Sequence, residues 1–464
     1  MTRLQERLLT HGLQLPDLLL PKEAIDYAKW AVIACDQYTQ EKDYWERVEQ
    51  FVGKSQSTLR LILPECFIGD GSFEDRIDSI HATMCNYLQS NLFQSYSPGI
   101  HLVKRSCENS PDRLGILLLL DLEAYDYRPG SQSLIRPTEG TIAERIPPRS
   151  AIRYGAPVEV PHVLVLLDDP DHSVIEPFED LKDEADVLYD FDLMSGGGRL
   201  SSFRFDSEQH AETLTNSFDC VADSESFRSR YGSGKPFGKP FFLAVGDGNH
   251  SLAAAKTVWE SVKSEHGREA YYHPARWALV EVVNLYNRGI GFEPIHRLLF
   301  GIKDSHFLDY CREKHGAVFR TVDGAPEVER IIGAADSRHP EVGIISGGVV
   351  GALSCRQSGT RLAVVAIQEI IDDYLQGIRV RRSARRPARR PARNPASMDF
   401  VHDAETMIRQ GRVKGNVGIL VPPIRKEEFF PYLINYGSLP RKSFSLGKSQ
   451  EKRYYMEARK IIRT

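Results

Sequence analysis

The segment Gly246-Asp247-Gly248-Asn249-His250-Ser251 concentrates residue types that do chemistry. Two glycines let the backbone turn tightly and let a ligand approach with no Cβ in the way. The Ala-rich stretch Leu252–Lys263 that follows reads as a helix, with Ser251 as a candidate cap. The unpaired N–H groups and dipole of such a helix start favour an anion. Gly246, Gly248, Asn249 and Ser251 are therefore candidate phosphate-binding positions. Asp247 adds a carboxylate for general-base or metal work and His250 a proton carrier, which makes these two the candidate catalytic residues. A strand–helix turn that uses Asn and Asp for turn geometry alone explains the same residues about as well. The segment has neither the spacing of a Walker A loop nor that of a dinucleotide fingerprint.

Cations gather in two places. Arg136, Arg145, Arg149 and Arg153 precede the apolar run Val163–Leu167, and Lys442 sits in the hydroxyl-bearing segment Leu439–Ser445. Arginines ahead of a buried strand can grip phosphate through paired guanidinium contacts, although solvated loops with surface ion pairs look the same. A helix start supplies only about half a positive charge. The phosphate reading thus expects Asp247, His250, Arg145, Arg149 and Lys442 to converge on one pocket. The rest of the tail, through Lys452, Arg453 and Arg459, reads as a solvated terminal helix. Glu281 interrupts an apolar stretch and lies either on an exposed helix face or buried with a partner. His296, beside Arg297 and after Pro294, could approach a ligand, with a structural histidine the stronger reading. The seven cysteines are scattered and form no Cys-x-x-Cys, so neither a structural zinc site nor a disulfide framework is expected, and the cytoplasm is the expected compartment.

These groups need elements to hold them. Residues 57–63, Ile116–Leu120, Val163–Leu167, Phe241–Val245, Ala278–Val283 and Ala363–Ile367 are short, apolar and bounded like strands; residues 22–50 and Leu252–Lys263 have helical patterning. Strands alternating with helices predict a mixed α/β (α+β) fold. The chain divides on this reading into 1–235, carrying the Arg/Glu segment, and 236–464, carrying the glycine turn. Across 464 residues, 41% hydrophobic content fills sizeable cores, and no run approaches the ~20 apolar residues of a membrane span. The net charge is −4, which argues against a polyanion partner for the chain as a whole. Residues 379–397 stand apart, with eight arginines from Arg379 to Arg393; without them 51 basic residues face 63 acidic ones. A nucleic-acid arm is one reading of this segment. Its prolines, like charges and lack of aromatics favour a disordered insertion instead, and nucleic acid is not an expected partner.

Taken together, Lys29–Thr39, Thr138–Ile142, Glu144-Arg145, Pro148-Arg149, Gly246–Ser251, Glu281–Asn284, Ile295–Arg297, Met398–His402 and Leu439–Ser445 resemble a bacterial family known as domain of unknown function 1015. The likeness covers nearly the whole chain, interrupted by the arginine-rich segment. Many members of that family carry Asp-Gly-His-His-Arg where this chain has Asp247-Gly-Asn-His-Ser251. That form looks like the phosphate-contacting motif of the free serine kinases related to the ParB fold. The resemblance implies a ParB/serine-kinase-like core and nucleotide-dependent phosphoryl transfer to a small hydroxy metabolite, with Mg2+ and ATP or ADP. Asp247, Gly248 and His250 match the motif, whereas Asn249 and Ser251 depart from it and remove its arginine. The alternative is a non-catalytic nucleotide- or metabolite-binding protein.

Overall fold

The computed structural model describes residues 3–69, 71–232, 239–355, 362–385 and 396–463, with only the backbone for 379–385. They form two compact units, Met1–Gly291 with Leu446–Thr464, and Phe292–Ser445. The division thus falls at 291 and 445, not near 235. Strand pairing explains this, because Trp277–Asn284 is hydrogen-bonded inside the first unit's sheet.

The first unit is built on a nine-stranded mixed sheet. Its strands are β1 (Leu13–Gln14), β2 (Ile100–Cys107), β3 (Ser110–Asp121), β4 (Ile135–Pro137) and β5 (Leu164–Leu167). The others are β6 (Asp186–Asp192), β7 (Arg199–Phe205), β8 (Leu243–Asp247) and β9 (Trp277–Asn284). The order is β6-β7-β2-β3-β9-β5-β8-β4, with β1 on β3. Pairing is parallel for β9–β5 and β8–β4 and antiparallel elsewhere.

The unbroken apolar run in β3 follows from burial on both faces. Leu117 and Leu119 point into one core with Leu279, Trp30, Trp45 and Tyr455. Ile116, Leu118 and Leu120 point into the other, with Val280, Val282 and the helix residues Leu252, Ala255 and Trp259. Two helices matter to the site: α1 (Ile146–Arg153) and α2 (Asn249–His266).

Several local expectations give way to long-range pairing. Residues 22–50 are not one helix; a turn of helix at Tyr27–Trp30 leads to Val32–Ile33, which pairs with Tyr454–Tyr455, and helix resumes at Lys42–Val52. The tail is likewise no solvated helix. Arg459–Lys460 pairs with Val158–Glu159, and Lys452, Arg453 and Arg459 are all buried. At 57–63 the expected strand is a 3-10 turn, Thr58–Arg60, because the hydroxyls of Ser57 and Thr58 bond the Trp30 carbonyl rather than leaving the backbone extended.

The second unit carries a six-stranded sheet of β10 (His296–Phe300), β11 (Val318–Thr321), β12 (Glu341–Ser346), β13 (Val349–Ser354), β14 (Ser397–Val401) and β15 (Asn416–Leu420). The order is β11-β13-β12-β15-β10-β14. Leu298, Val328, Ile345, Met407 and Leu420 fill a core beside it. Ala363–Ile367, read as a strand, instead opens the helix α3 (Ala363–Arg385), whose buried Val364, Ile367, Ile371, Tyr374 and Leu375 follow the helical period. Residues 379–385 continue that helix and Ser397 starts β14, so both ends of the expected disordered insertion have regular structure. Its middle, 386–395, lies outside the described residues. Among the described residues no helix is long and apolar enough to cross a membrane.

Candidate functional site

Strand β8 ends at Asp247, and Gly248 turns the chain into α2 with φ 77°, in the left-handed region. Two independent constraints meet at this glycine, since a Cβ there would also come within 3.0 Å of Val163. Gly246 is held by packing alone, a Cβ meeting Leu446 at 2.6 Å and Leu166 at 2.7 Å. Both glycines therefore have structural reasons. Ser251 does not cap α2; Gly248 occupies the cap position with no side chain to offer.

The side chains of the turn have definite partners. Asp247 accepts the Gly248 N–H at 3.0 Å through Oδ1 and binds Lys452 Nζ at 2.9 Å through Oδ2. Asn249 Nδ2 reaches Thr138 Oγ1 at 3.5 Å, and its Oδ1 is buried with no hydrogen-bond partner. The Ile142 N–H donates to Nε2 of His250 at 3.1 Å, which makes that nitrogen an acceptor and leaves Nδ1 to carry the ring proton. Ser251 Oγ lies 3.0 Å from Nε2 of His162.

His162 leads into a further polar group. Its Nδ1 is 2.9 Å from the Tyr455 hydroxyl, and Asp36 Oδ2 is 3.9 Å from its Nε2. Burial pushes the Asp36 carboxyl up. His162, a hydrogen bond from Gln37, Lys452 and Arg149 together outweigh it and hold the carboxyl below its ordinary value. Burial pushes the adjacent Cys35 thiol up to about 12, which keeps it protonated and rules it out as a thiolate nucleophile.

Of the expected cations, Arg149 belongs to this neighbourhood. It is ion-paired with Glu65, its Nη1 donates to the Arg145 carbonyl at 2.6 Å, and its charge is felt by Asp36. Arg145 itself is exposed and contributes that carbonyl. Lys442 lies in the second unit, at a left-handed φ of 58°. His296 is also in the second unit, buried, with Nδ1 accepting the Val421 N–H at 3.1 Å; burial lowers its pKa to about 4, so it stays neutral and structural.

Sequence reasoning missed Asp36, His162, Lys452 and Tyr455. Asp36 lies in a stretch expected to be helix, Lys452 and Tyr455 in a tail expected to be solvated, and His162 just ahead of the apolar run Val163–Leu167. What brings Lys452 and Tyr455 in is a buried ionic layer under the tail. Glu281, on β9, pairs with Arg113 at 3.2 Å and with Arg453, and Arg453 also holds Glu457 at 2.6 Å. Gly115 leaves the room for the Glu281 side chain, since a Cβ there would approach it to 2.6 Å. Glu281 is thus buried with partners, on a strand, and it anchors the segment that delivers Lys452 and Tyr455.

Two depressions of about 520 and 530 Å³ in the first unit are lined by other residues, one including Glu74, Ser150 and Thr257, the other Trp45, Arg60 and Arg76. The glycine turn lines neither.

A family model described as Protein of unknown function (DUF1015) matches residues 19–372. No curated protein matches the chain. Among solved structures, C-terminally truncated SbnI of Staphylococcus aureus is 9% identical with a TM-score of 0.34, over 71% of this chain and 82% of that one. A mutant free serine kinase in complex with AMP is 8% identical with a TM-score of 0.36, over 75% and 91%. A hypothetical protein of Pyrococcus furiosus is 8% identical with a TM-score of 0.33, over 75% and 95%.

Proposed function

Because the chain belongs to the family described as Protein of unknown function (DUF1015), its chemistry has to be read from its site, and we propose that it is a nucleotide-dependent phosphotransferase acting on a small hydroxy metabolite. The observation that carries this is the charge arrangement at the start of α2. A carboxylate, Asp247, is held at the helix start by the buried Lys452, and a second carboxylate, Asp36, feels Lys452, His162 and Arg149. Phosphoryl transfer is mostly positioning and charge stabilisation, and such a set of fixed charges suits it.

In this reading the first turn of α2, from Gly248 to Ser251, receives phosphate oxygens, with Gly246 and Gly248 shaping the turn that presents it. Asn249 offers its unpartnered Oδ1 to a donor on the ligand. Lys452 and Arg149 offset the negative charge, with Arg145 at the exposed edge. Asp247 is the base or magnesium ligand, and His250 donates through Nδ1. Among the described residues no group of three or more His, Cys, Asp and Glu is placed to hold a metal ion. In this reading Mg2+ would arrive with ATP or ADP, since such an ion takes one or two carboxylates and fills its remaining positions with phosphate and water. Asp36 and Asp247 are the carboxylates this chain has for it.

One observation favours a second reading, a non-catalytic nucleotide- or metabolite-binding protein: both oxygens of Asp247 are already engaged, by Lys452 and by the Gly248 N–H. Calorimetric titration with Mg-ATP and Mg-ADP, followed by a transfer screen over small alcohols, separates the two. Transfer supports the enzyme, binding without transfer supports the binding module, and failure to bind any nucleotide overturns the enzyme and counts against nucleotide as the module's ligand.

A further inference from the structure

The depression of about 530 Å³ in the first unit is a groove between the helices Lys42–Val52 and Phe73–Gln89, with the segment 59–67 beneath it. Its size suits a small molecule. Trp45, Leu59, Ile62, Leu63 and Ile80 line it and are all buried, so its base is apolar. The charges around that base are not equivalent. Arg60 is closed to a ligand, because its two Nη atoms bind the two oxygens of Glu49 at 2.6 Å and Nη2 also donates to the Gly53 carbonyl at 2.7 Å. Arg76 is held in place but not neutralised. Its Nε donates to Ser72 Oγ at 3.2 Å and its guanidinium lies 4.8 Å from the centroid of the Phe67 ring, while among the described residues no carboxylate pairs with it. Lys42 Nζ is 5.6 Å from the same centroid, so a second cation, from the other helix, shares that ring. Glu46, the remaining carboxylate of the rim, is exposed to solvent and its charge is screened. Arg76, Ser79, Ile80 and Thr83 line the groove from one face of their helix, and from Arg76 to Thr83 that face runs about 10 Å.

We propose that this groove binds an amphipathic monocarboxylate. Its carboxylate takes the Nη–H groups of Arg76, and its aliphatic tail lies over Leu63, Ile80 and Trp45 toward Thr83. A guanidinium stacked on a ring keeps its hydrogen-bonding edge in one plane, which matches the planar carboxylate and leaves little side-chain freedom to be lost on binding. The tail gains by leaving water for an apolar base, and a chain that outruns the groove gains nothing more. The groove shares no residue with the glycine turn, so its ligand is independent of the phosphotransferase reading.

The full chain is titrated calorimetrically with sodium butanoate, hexanoate, octanoate and decanoate, all below micelle formation, and with octanol and octylammonium. Affinity should rise about fourfold for each methylene the groove covers, and octanoate should bind about 10-fold or more tightly than octanol or octylammonium. Arg76→Gln should remove that preference and weaken octanoate by the same factor. Ser79→Trp, which fills the groove from its exposed rim, should abolish binding of every chain length; Gln50→Trp, exposed on the opposite helix, serves if Ser79→Trp does not fold. Failure of octanoate and decanoate to bind overturns the proposal. So does octylammonium binding as tightly as octanoate, or an octanoate affinity unchanged in a folded Arg76→Gln.

Discussion

Lys452 has its ammonium buried against Asp247, and the Asp36 carboxyl lies in its field. Replacing it with Met leaves the Asp247 carboxylate with only the Gly248 N–H. Because Asp247 keeps some contact with solvent, the cost falls toward the lower end for a broken buried pair, about 2–3 kcal/mol. Thermal melts should show a fall of several degrees, with Lys452→Arg recovering most of it; an unchanged melting temperature in Lys452→Met would count against a working ion pair. Glu281 makes a second prediction, in pH. Burial raises its pKa, but Arg113 and Arg453 outweigh burial and hold it below the ordinary 4.5. A carboxyl depressed in the folded state contributes its stability above the unfolded pKa, about 4.3, and loses it as the pH falls through the folded value. Glu159, held down by Arg153 and Arg459 against burial, acts in the same sense. Stability should therefore stay level from neutral pH to about 5 and drop below about 4. Glu281→Gln should be about 3–5 kcal/mol less stable at neutral pH, with a shallower acid limb, since one linked proton is gone. Urea denaturation in pH steps checks both; parallel acid limbs for the two proteins would refute the assignment.

Among the elements, the β8–Gly248–α2 turn makes the sharpest demand. Gly248→Ala places a Cβ in a left-handed conformation and 3.0 Å from Val163, costing about 1–2 kcal/mol for the conformation alone. Its melting temperature should fall by at least a few degrees, and nucleotide binding should weaken with it. A variant that melts and binds like the parent would show that the turn is slack. This turn was legible in the sequence because everything that makes it is local: an apolar strand, two glycines and an alanine-rich helical period. So were the strands holding Ile116–Leu120 and Ala278–Val283. Val32–Ile33 and Tyr454–Tyr455 were not, for each is too short to have a pattern and is a strand only because the other, more than four hundred residues away, supplies its hydrogen bonds. Ala363–Ile367 misled differently. Five small and β-branched residues look like a strand, and only the continuation through Ile371, Tyr374 and Leu375 shows the helical period. The site followed the same rule: Asp247 and His250 were visible in a local motif, while His162, Lys452 and Tyr455 became site residues only through pairing that no window of sequence contains.

At the scale of the molecule, the second unit is one uninterrupted segment, Phe292–Ser445, and the residues flanking it meet: the Gly447 N–H donates to the Gly291 carbonyl at 3.0 Å. Deleting 292–445 and joining the ends through a short Gly-Ser linker should leave a folded first unit. Its melting transition and its Mg-ATP titration should resemble those of the full chain. Loss of folding or of binding would show that the first unit depends on the second. Removing 448–464 should be far more damaging, because it strips Arg453 from Glu281 and Tyr455 from the core. Translation meets the same dependence in time. The sheet strand carrying Glu281 leaves the ribosome well before Arg453 does, and at about 5–20 residues per second the intervening second unit takes on the order of 10–30 s to synthesise. For that interval a buried-type glutamate waits without its second arginine, and one face of the sheet waits without Tyr454, Tyr455 and Met456. A nascent chain of this protein should accordingly be a client for chaperones that shield apolar surface, and one whose synthesis stops early never brings Lys452 to Asp247.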